Sequence, residues 1–219
     1  MIQVLKDSLR FFKFNFVQIM SIYIPIFIIQ YILGIFFNFI PSETLSRSVS
    51  LLIGSWISAV FFGALTLQFN GVLSGYKLAP KECLLKGLLI SPLVFYIDVI
   101  VGAVTLIGLL VLIIPGFILG ARLSLSPFIF LLSNSKPIEA IKKSFHMTKG
   151  FTKIILGSIL TLGVPIFAIV FILRLLIATQ NWEFLLEFEI GFLLDFLSIM
   201  CVIILFRIYS LINEQSPEA

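Results

Sequence analysis

The sequence predicts an all-α fold, a polytopic membrane bundle of six transmembrane helices in three hairpins, with amphipathic helices lying at the cytoplasmic surface. Three observations carry this. The 219-residue chain is 60% hydrophobic and 12% charged, against about 45–50% and about 25% in soluble domains. Its mean hydropathy is +1.16. Its apolar residues fall in runs long enough to cross a hydrocarbon core about 30 Å thick, which takes roughly 20 residues of helix. So little charge cannot cover a water-facing surface. A soluble globular domain, a disordered chain, a disulfide-knotted module and a nucleic-acid-binding domain are excluded on that ground.

Residues 2–14 put Ile2, Leu5, Leu9 and Phe12 on one helical face and Gln3, Lys6, Arg10 and Lys13 on the other. That is an amphipathic helix in the headgroup region. The first span covers about 16–40 and ends without a small-residue cleavage site, so it reads as an anchor and not a signal peptide. The second covers about 51–75. A longer apolar stretch follows, uncharged between Asp98 and Arg122. As a single span it would separate two basic segments, Lys77, Lys81 and Lys86 before it and Lys136, Lys142, Lys143, Lys149 and Lys153 after it. A hairpin turned at Pro115–Gly116 keeps both on the cytoplasmic side, as the positive-inside tendency requires. The third and fourth spans are therefore about 88–114 and 117–133.

Residues 137–149 set Ile138, Ile141 and Phe145 against Glu139, Lys142, Lys143 and Lys149, with Pro137 suited to a first helical turn. Their start aligns with residues 80–87, which suggests a third interfacial segment and a unit of interfacial helix plus hairpin repeated along the chain. The fifth and sixth spans cover about 151–178 and 189–211, giving one membrane domain over residues 1–219 with both termini in the cytoplasm. Only Arg47 and Arg174 then lie outside among the basic residues, beside the outer glutamates Glu183, Glu187 and Glu189. Trp56 and Trp182 fall at the outer interface and Tyr76 and Tyr209 at the inner one, where aromatic belts form.

Three ionisable residues remain inside spans: Asp98, Arg122 and Asp195. Such residues mark functional sites by default, as a polar site or a proton-linked path. A buried ion pair that fixes helix register is the favoured account, since a buried charge demands a partner whether or not it works. Depth favours Arg122 with Asp195 over Arg122 with Asp98. Small residues recur every four positions at Ser55, Ala59 and Gly63, then at Gly71 and Gly75, and again at Gly116 and Gly120. This spacing lets helix backbones approach closely. Gln68 and Asn70 suit hydrogen bonds between helices. The basic residues Lys6, Arg10, Lys13, Lys142, Lys143 and Lys149 suit anionic lipid headgroups, at about 1 kcal/mol each near the surface; setting topology explains them as well.

Catalytic signatures are missing from the sequence: no nucleophile elbow, zinc-protease helix, phosphate-binding loop or dinucleotide fingerprint is present. One histidine, His146, cannot make a multi-histidine metal centre, and Cys83 and Cys201 lack metal-site spacing. No metal, cofactor or enzymatic activity is expected.

The stretches 112–127 (LIIPGFILGARLSLSP), 140–149 (AIKKSFHMTK) and 205–212 (LFRIYSLI) resemble the YciC family of bacterial inner-membrane proteins. More distantly they resemble the membrane domain of some glycerophosphodiester phosphodiesterases. The resemblance implies six helices in the inner membrane and brings no catalytic residues; the second likeness is an analogy to lipid handling. The expected function is a non-enzymatic envelope protein that binds or moves lipids or other amphiphiles. Two alternatives stay open: a structural or assembly subunit with a membrane-protein partner or a second copy, and an intramembrane enzyme using Asp98 or Asp195.

Overall fold

Prolines and short polar side chains set the helix boundaries. The computed structural model describes residues 2–37, 39–76, 78–133, 135–177 and 183–215. Among these residues the elements are all helical: α1 (Ile2–Phe14), α2 (Phe16–Phe37), α3 (Glu43–Leu73), α4 (Pro80–Val111), α5 (Ile113–Leu123), α6 (Ser126–Ser133), α7 (Pro137–Met147), α8 (Thr152–Ile177) and α9 (Glu183–Gln215). Six segments are long and apolar enough to cross a membrane: α2, α3, α4, the α5–α6 pair, and parts of α8 and α9. Lys77 and Trp182 lie outside the described residues, as do the side chains of Arg174, Glu183, Glu187, Glu189 and Asp195.

The contacts divide the chain into two units, residues 15–149 and residues 1–14 with 150–219. In the first, α2 and α3 are joined by a turn in which the Ser46 hydroxyl donates to the Phe37 carbonyl at 2.8 Å. That carbonyl belongs to the last turn of α2, where no intrahelical donor is left. Ser42 caps α3 by accepting from the Leu45 N–H. At the far end of α3, Gly75 takes φ +75°, the Tyr76 N–H reaches the Gly71 carbonyl at 2.9 Å and the Gly75 N–H reaches Val72. This is a Schellman stop, which favours glycine because the left-handed backbone strains other residues.

The pairing of α3 with α4 rests on close backbone approach. A Cβ at Gly87 would lie 2.8 Å from the Val60 carbonyl oxygen and 2.9 Å from the Ala64 nitrogen, and one at Gly63 would touch the Gly87 Cα at 3.4 Å. Trp56 Nε1 donates to Ser91 Oγ at 2.9 Å across the same pair. Nearer the Schellman stop, Cys83 Sγ donates to Gln68 Oε1 at 3.0 Å and Gln68 Nε2 to Gln18 Oε1 at 3.2 Å. This chain of polar groups ties α2, α3 and α4 together in surroundings that offer few other partners.

α4 runs unbroken for 32 residues, so residues 80–87 form its first turns and not a separate interfacial helix. Pro80 occupies a first-turn position, where a missing N–H costs nothing. The turn into α5 falls at Leu112, which is extended (φ −155°, ψ 129°), three residues before the expected Pro115–Gly116. Pro115 instead sits in the first turn of α5, and the Gly116 N–H is the one that bonds back to Leu112 at 3.1 Å. A first turn has no intrahelical partners for its N–H groups, so proline fits there without loss. Gly116 lets the hairpin close, because a Cβ on it would meet the Leu109 backbone within 2.7 Å. The fourth span is itself broken: α5 ends at Leu123, α6 starts at Ser126, and the Ser126 hydroxyl folds back onto the Leu123 carbonyl at 2.7 Å.

In the second unit the amphipathic α1 packs against α9. Val4 and Ser8 of α1 are buried, and Asp7 reaches Arg207 at 3.7 Å. α8 also packs against α9. α1 therefore packs with the last helices of the chain, although Asn15 alone separates it from α2 in sequence.

Candidate functional site

The chemistry-bearing residues that come together in the first unit surround Arg122. Arg122 lies in the last turn of α5, where helix carbonyls lack donors four residues ahead. Its carbonyl instead accepts from two hydroxyls of the α7 region, Ser144 Oγ at 2.7 Å and Thr148 Oγ1 at 3.0 Å. Both hydroxyl-bearing residues are fully buried. They are four positions apart, hence on one face of the helix. α7 itself starts with Pro137 in its first turn, and the Glu139 carboxylate accepts from the Lys136 N–H at 3.3 Å. Ala140 and Ser144 form its buried face, and Ile138, Glu139, Lys142 and His146 are exposed.

The Arg122 side chain crosses to the same helix. Its guanidinium carbon stands 4.7 Å from the centroid of the Phe145 ring, within the range of a cation–π contact. The Nε–H is sealed from solvent and has no hydrogen-bond partner among the described residues. No acidic side chain among them pairs with it; the ion pairs there are Arg47–Glu43 and Arg207–Asp7. From the start of α5 Arg122 is nine residues along, about 14 Å at the rise of a helix. The contacts of Gly108 with Gly116 and of Thr105 with Gly120 set it level with the last third of α4. It is therefore well inside the length of the span.

Asp98 does not join this site. It is exposed on α4 and forms no ion pair among the described residues. At 18 residues from Pro80 it stands about 27 Å along its helix. The side chain of Asp195 lies outside the described residues.

The small residues divide by role. Ala59 is buried, and Gly63 faces Gly87. Gly116 meets α4 at Leu109, and Gly120 meets Thr105. Gly71 and Gly75 instead build the stop of α3, and a Cβ on Gly71 would lie 2.7 Å from the Tyr76 carbonyl oxygen. Ser55 is exposed and bonds to its own helix at Leu51. Gly87 and Gly108, which also meet neighbouring helices closely, have no place in the four-residue pattern that marks the others.

The remaining basic residues are on view at the surface. Lys6, Arg10 and Lys13 are exposed on α1, where Arg10 also covers the Phe14 ring at 5.7 Å. Lys142 and Lys149 are exposed and Lys143 is half-buried. Among the described residues no group of three or more His, Cys, Asp or Glu side chains could hold a metal ion.

No protein-family model matches the chain, and no solved structure does. In sequence it is similar to a UPF0259 membrane protein of Buchnera aphidicola subsp. Baizongia pistaciae (strain Bp), 29% identical over 179 residues. The match covers 78% of this chain and 66% of that relative, so the chain spans just under two thirds of the relative's length. The relative's name places it in a membrane and gives no activity. With six helices apolar and long enough to span a bilayer, the chain is a multi-pass, all-α membrane protein.

Proposed function

We propose that the protein is a non-enzymatic component of the bacterial inner membrane, similar to the YciC family, that binds or moves lipids or other amphiphiles in envelope maintenance. The observation that carries this reading is the unpaired Arg122 guanidinium inside a span, beside a basic amphipathic helix. A charge at bilayer depth is costly unless something answers it, and the described residues supply an aromatic face and no anion. Lysines on α1, α7 and the start of α4 support an orientation with both termini in the cytoplasm.

The alternative of a structural subunit has less support, because Gly63, Gly87, Gly108 and Gly116 are used within the chain. An intramembrane enzyme draws no support from Asp98, which is exposed and forms no ion pair among the described residues. Native mass spectrometry of the protein released from mild detergent tests the proposal. Lipid adducts of defined mass that survive release are expected. A lipid-free protein that emerges only in complex with another polypeptide overturns the proposal in favour of an assembly role.

A further inference from the structure

We propose that Arg122, Phe145 and Lys142 form a site for a phosphate oxyanion, with Lys149 at its edge. This rests on the reading of the protein as an amphiphile binder and names the group it recognises. The guanidinium carries five N–H donors in a planar fork that matches the oxygens of phosphate. Among the described residues those donors form no ion pair, and the buried Nε–H has no hydrogen-bond partner. The Phe145 ring covers one side of the cation at 4.7 Å and the Nε–H is sealed from solvent; partial removal from water strengthens the attraction for an anion. Lys142 precedes Phe145 by three residues and so lies one turn away on the same face of α7, exposed. Lys149 is exposed in the turn that follows.

No carboxylate of the first unit answers these cations. Glu139 accepts from the first turn of its own helix, and Asp98 makes no ion pair. The platform is also held in place beforehand. Ser144 and Thr148, on either side of Phe145, are fastened to the Arg122 carbonyl, so α7 and the guanidinium keep their relative position and binding loses little to ordering. One turn before Arg122 on α5, Ile118 is exposed, an apolar surface next to the fork that suits an acyl chain.

The phosphate can arrive on a lipid headgroup or as the free ion, and the test separates the two. The full chain in detergent is titrated with dioctanoyl phosphatidylglycerol, with dioctanoylglycerol (the same chains without phosphate) and with inorganic phosphate. Phosphatidylglycerol is expected to bind, and to lose at least tenfold in affinity in Arg122→Gln and about threefold in Lys142→Gln. Lys142 is exposed, so its variant keeps the fold and reads binding alone. Arg122→Lys, which retains the charge without the fork, is expected to fall between the parent and Arg122→Gln. Inorganic phosphate binding as tightly as the lipid, with the same dependence on Arg122, would support the site and make the free ion its source. Dioctanoylglycerol binding as tightly as phosphatidylglycerol, or phosphatidylglycerol binding the parent and both variants equally, would overturn the oxyanion site while leaving amphiphile binding intact. Native mass spectrometry without lipid adducts would instead remove the amphiphile reading itself.

Discussion

The Ser144 hydroxyl donates a 2.7 Å hydrogen bond to the main-chain carbonyl of Arg122, 22 residues earlier in the chain. Thr148 repeats the contact one turn later at 3.0 Å. These bonds make α7 more than a helix resting at the interface. Removed, they would leave a carbonyl without a donor at a break in a membrane span, where an unsatisfied polar group is costly.

Ser144→Ala and Thr148→Ala should therefore be non-additive. Each alone is expected to cost about 0.6 kcal/mol, typical of a hydrogen bond between membrane helices, because the other hydroxyl still answers the carbonyl. Together they should cost about 1–3 kcal/mol, the penalty of an unsatisfied buried acceptor. A double-mutant cycle of unfolding in detergent checks this, and strict additivity would show that the two hydroxyls do not share a task.

Two glycines of the same long helix should respond oppositely to one added methyl. Gly87→Ala places its Cβ under 3 Å from two backbone atoms of α3, whereas at Gly102 the same group meets open space. A backbone clash cannot be relieved by turning a side chain. Gly87→Ala should cost about 1–3 kcal/mol, and Gly102→Ala should be neutral or slightly stabilising. Thermal denaturation in detergent distinguishes the two.

The outline of this fold was legible in the sequence, and its joints were less so. The length and apolarity of the spans, and the 3.6-residue period of residues 2–14 and 137–149, give helices that the structure contains at those places. Pro115–Gly116 misled because the same pair that can stop a helix also suits the first turn of the next one; only the N–H bookkeeping at Gly116 tells the two apart. A short amphipathic segment reveals which face it buries and not what covers it. The packing of α1 on α9 and of Ser144 on Arg122 could not be read for that reason. Charge at depth did single out Arg122. The carboxylate expected beside it, Asp195, has its side chain outside the described residues, and the ring contact with Phe145 carried no signal in the sequence.

Asp98 provides a third expectation. Its carboxylate is exposed on α4 with no ion pair to lose, and an aspartate at the centre of a membrane helix costs about 2.5–3.5 kcal/mol on insertion scales. Asp98→Asn should accumulate in the membrane at or above the parent level, with equal or higher thermal stability. A large loss of folded protein would mean that the carboxylate has a partner essential to the fold.

The break between α5 and α6 bears on how the chain enters the bilayer. At about 16 Å and 12 Å, neither half is long enough to cross the hydrocarbon alone, and the first half is locked onto α4 where Gly108 and Gly116 touch. The two halves can cross the bilayer only together, and the contact of Gly116 with α4 braces the half that leads into the break.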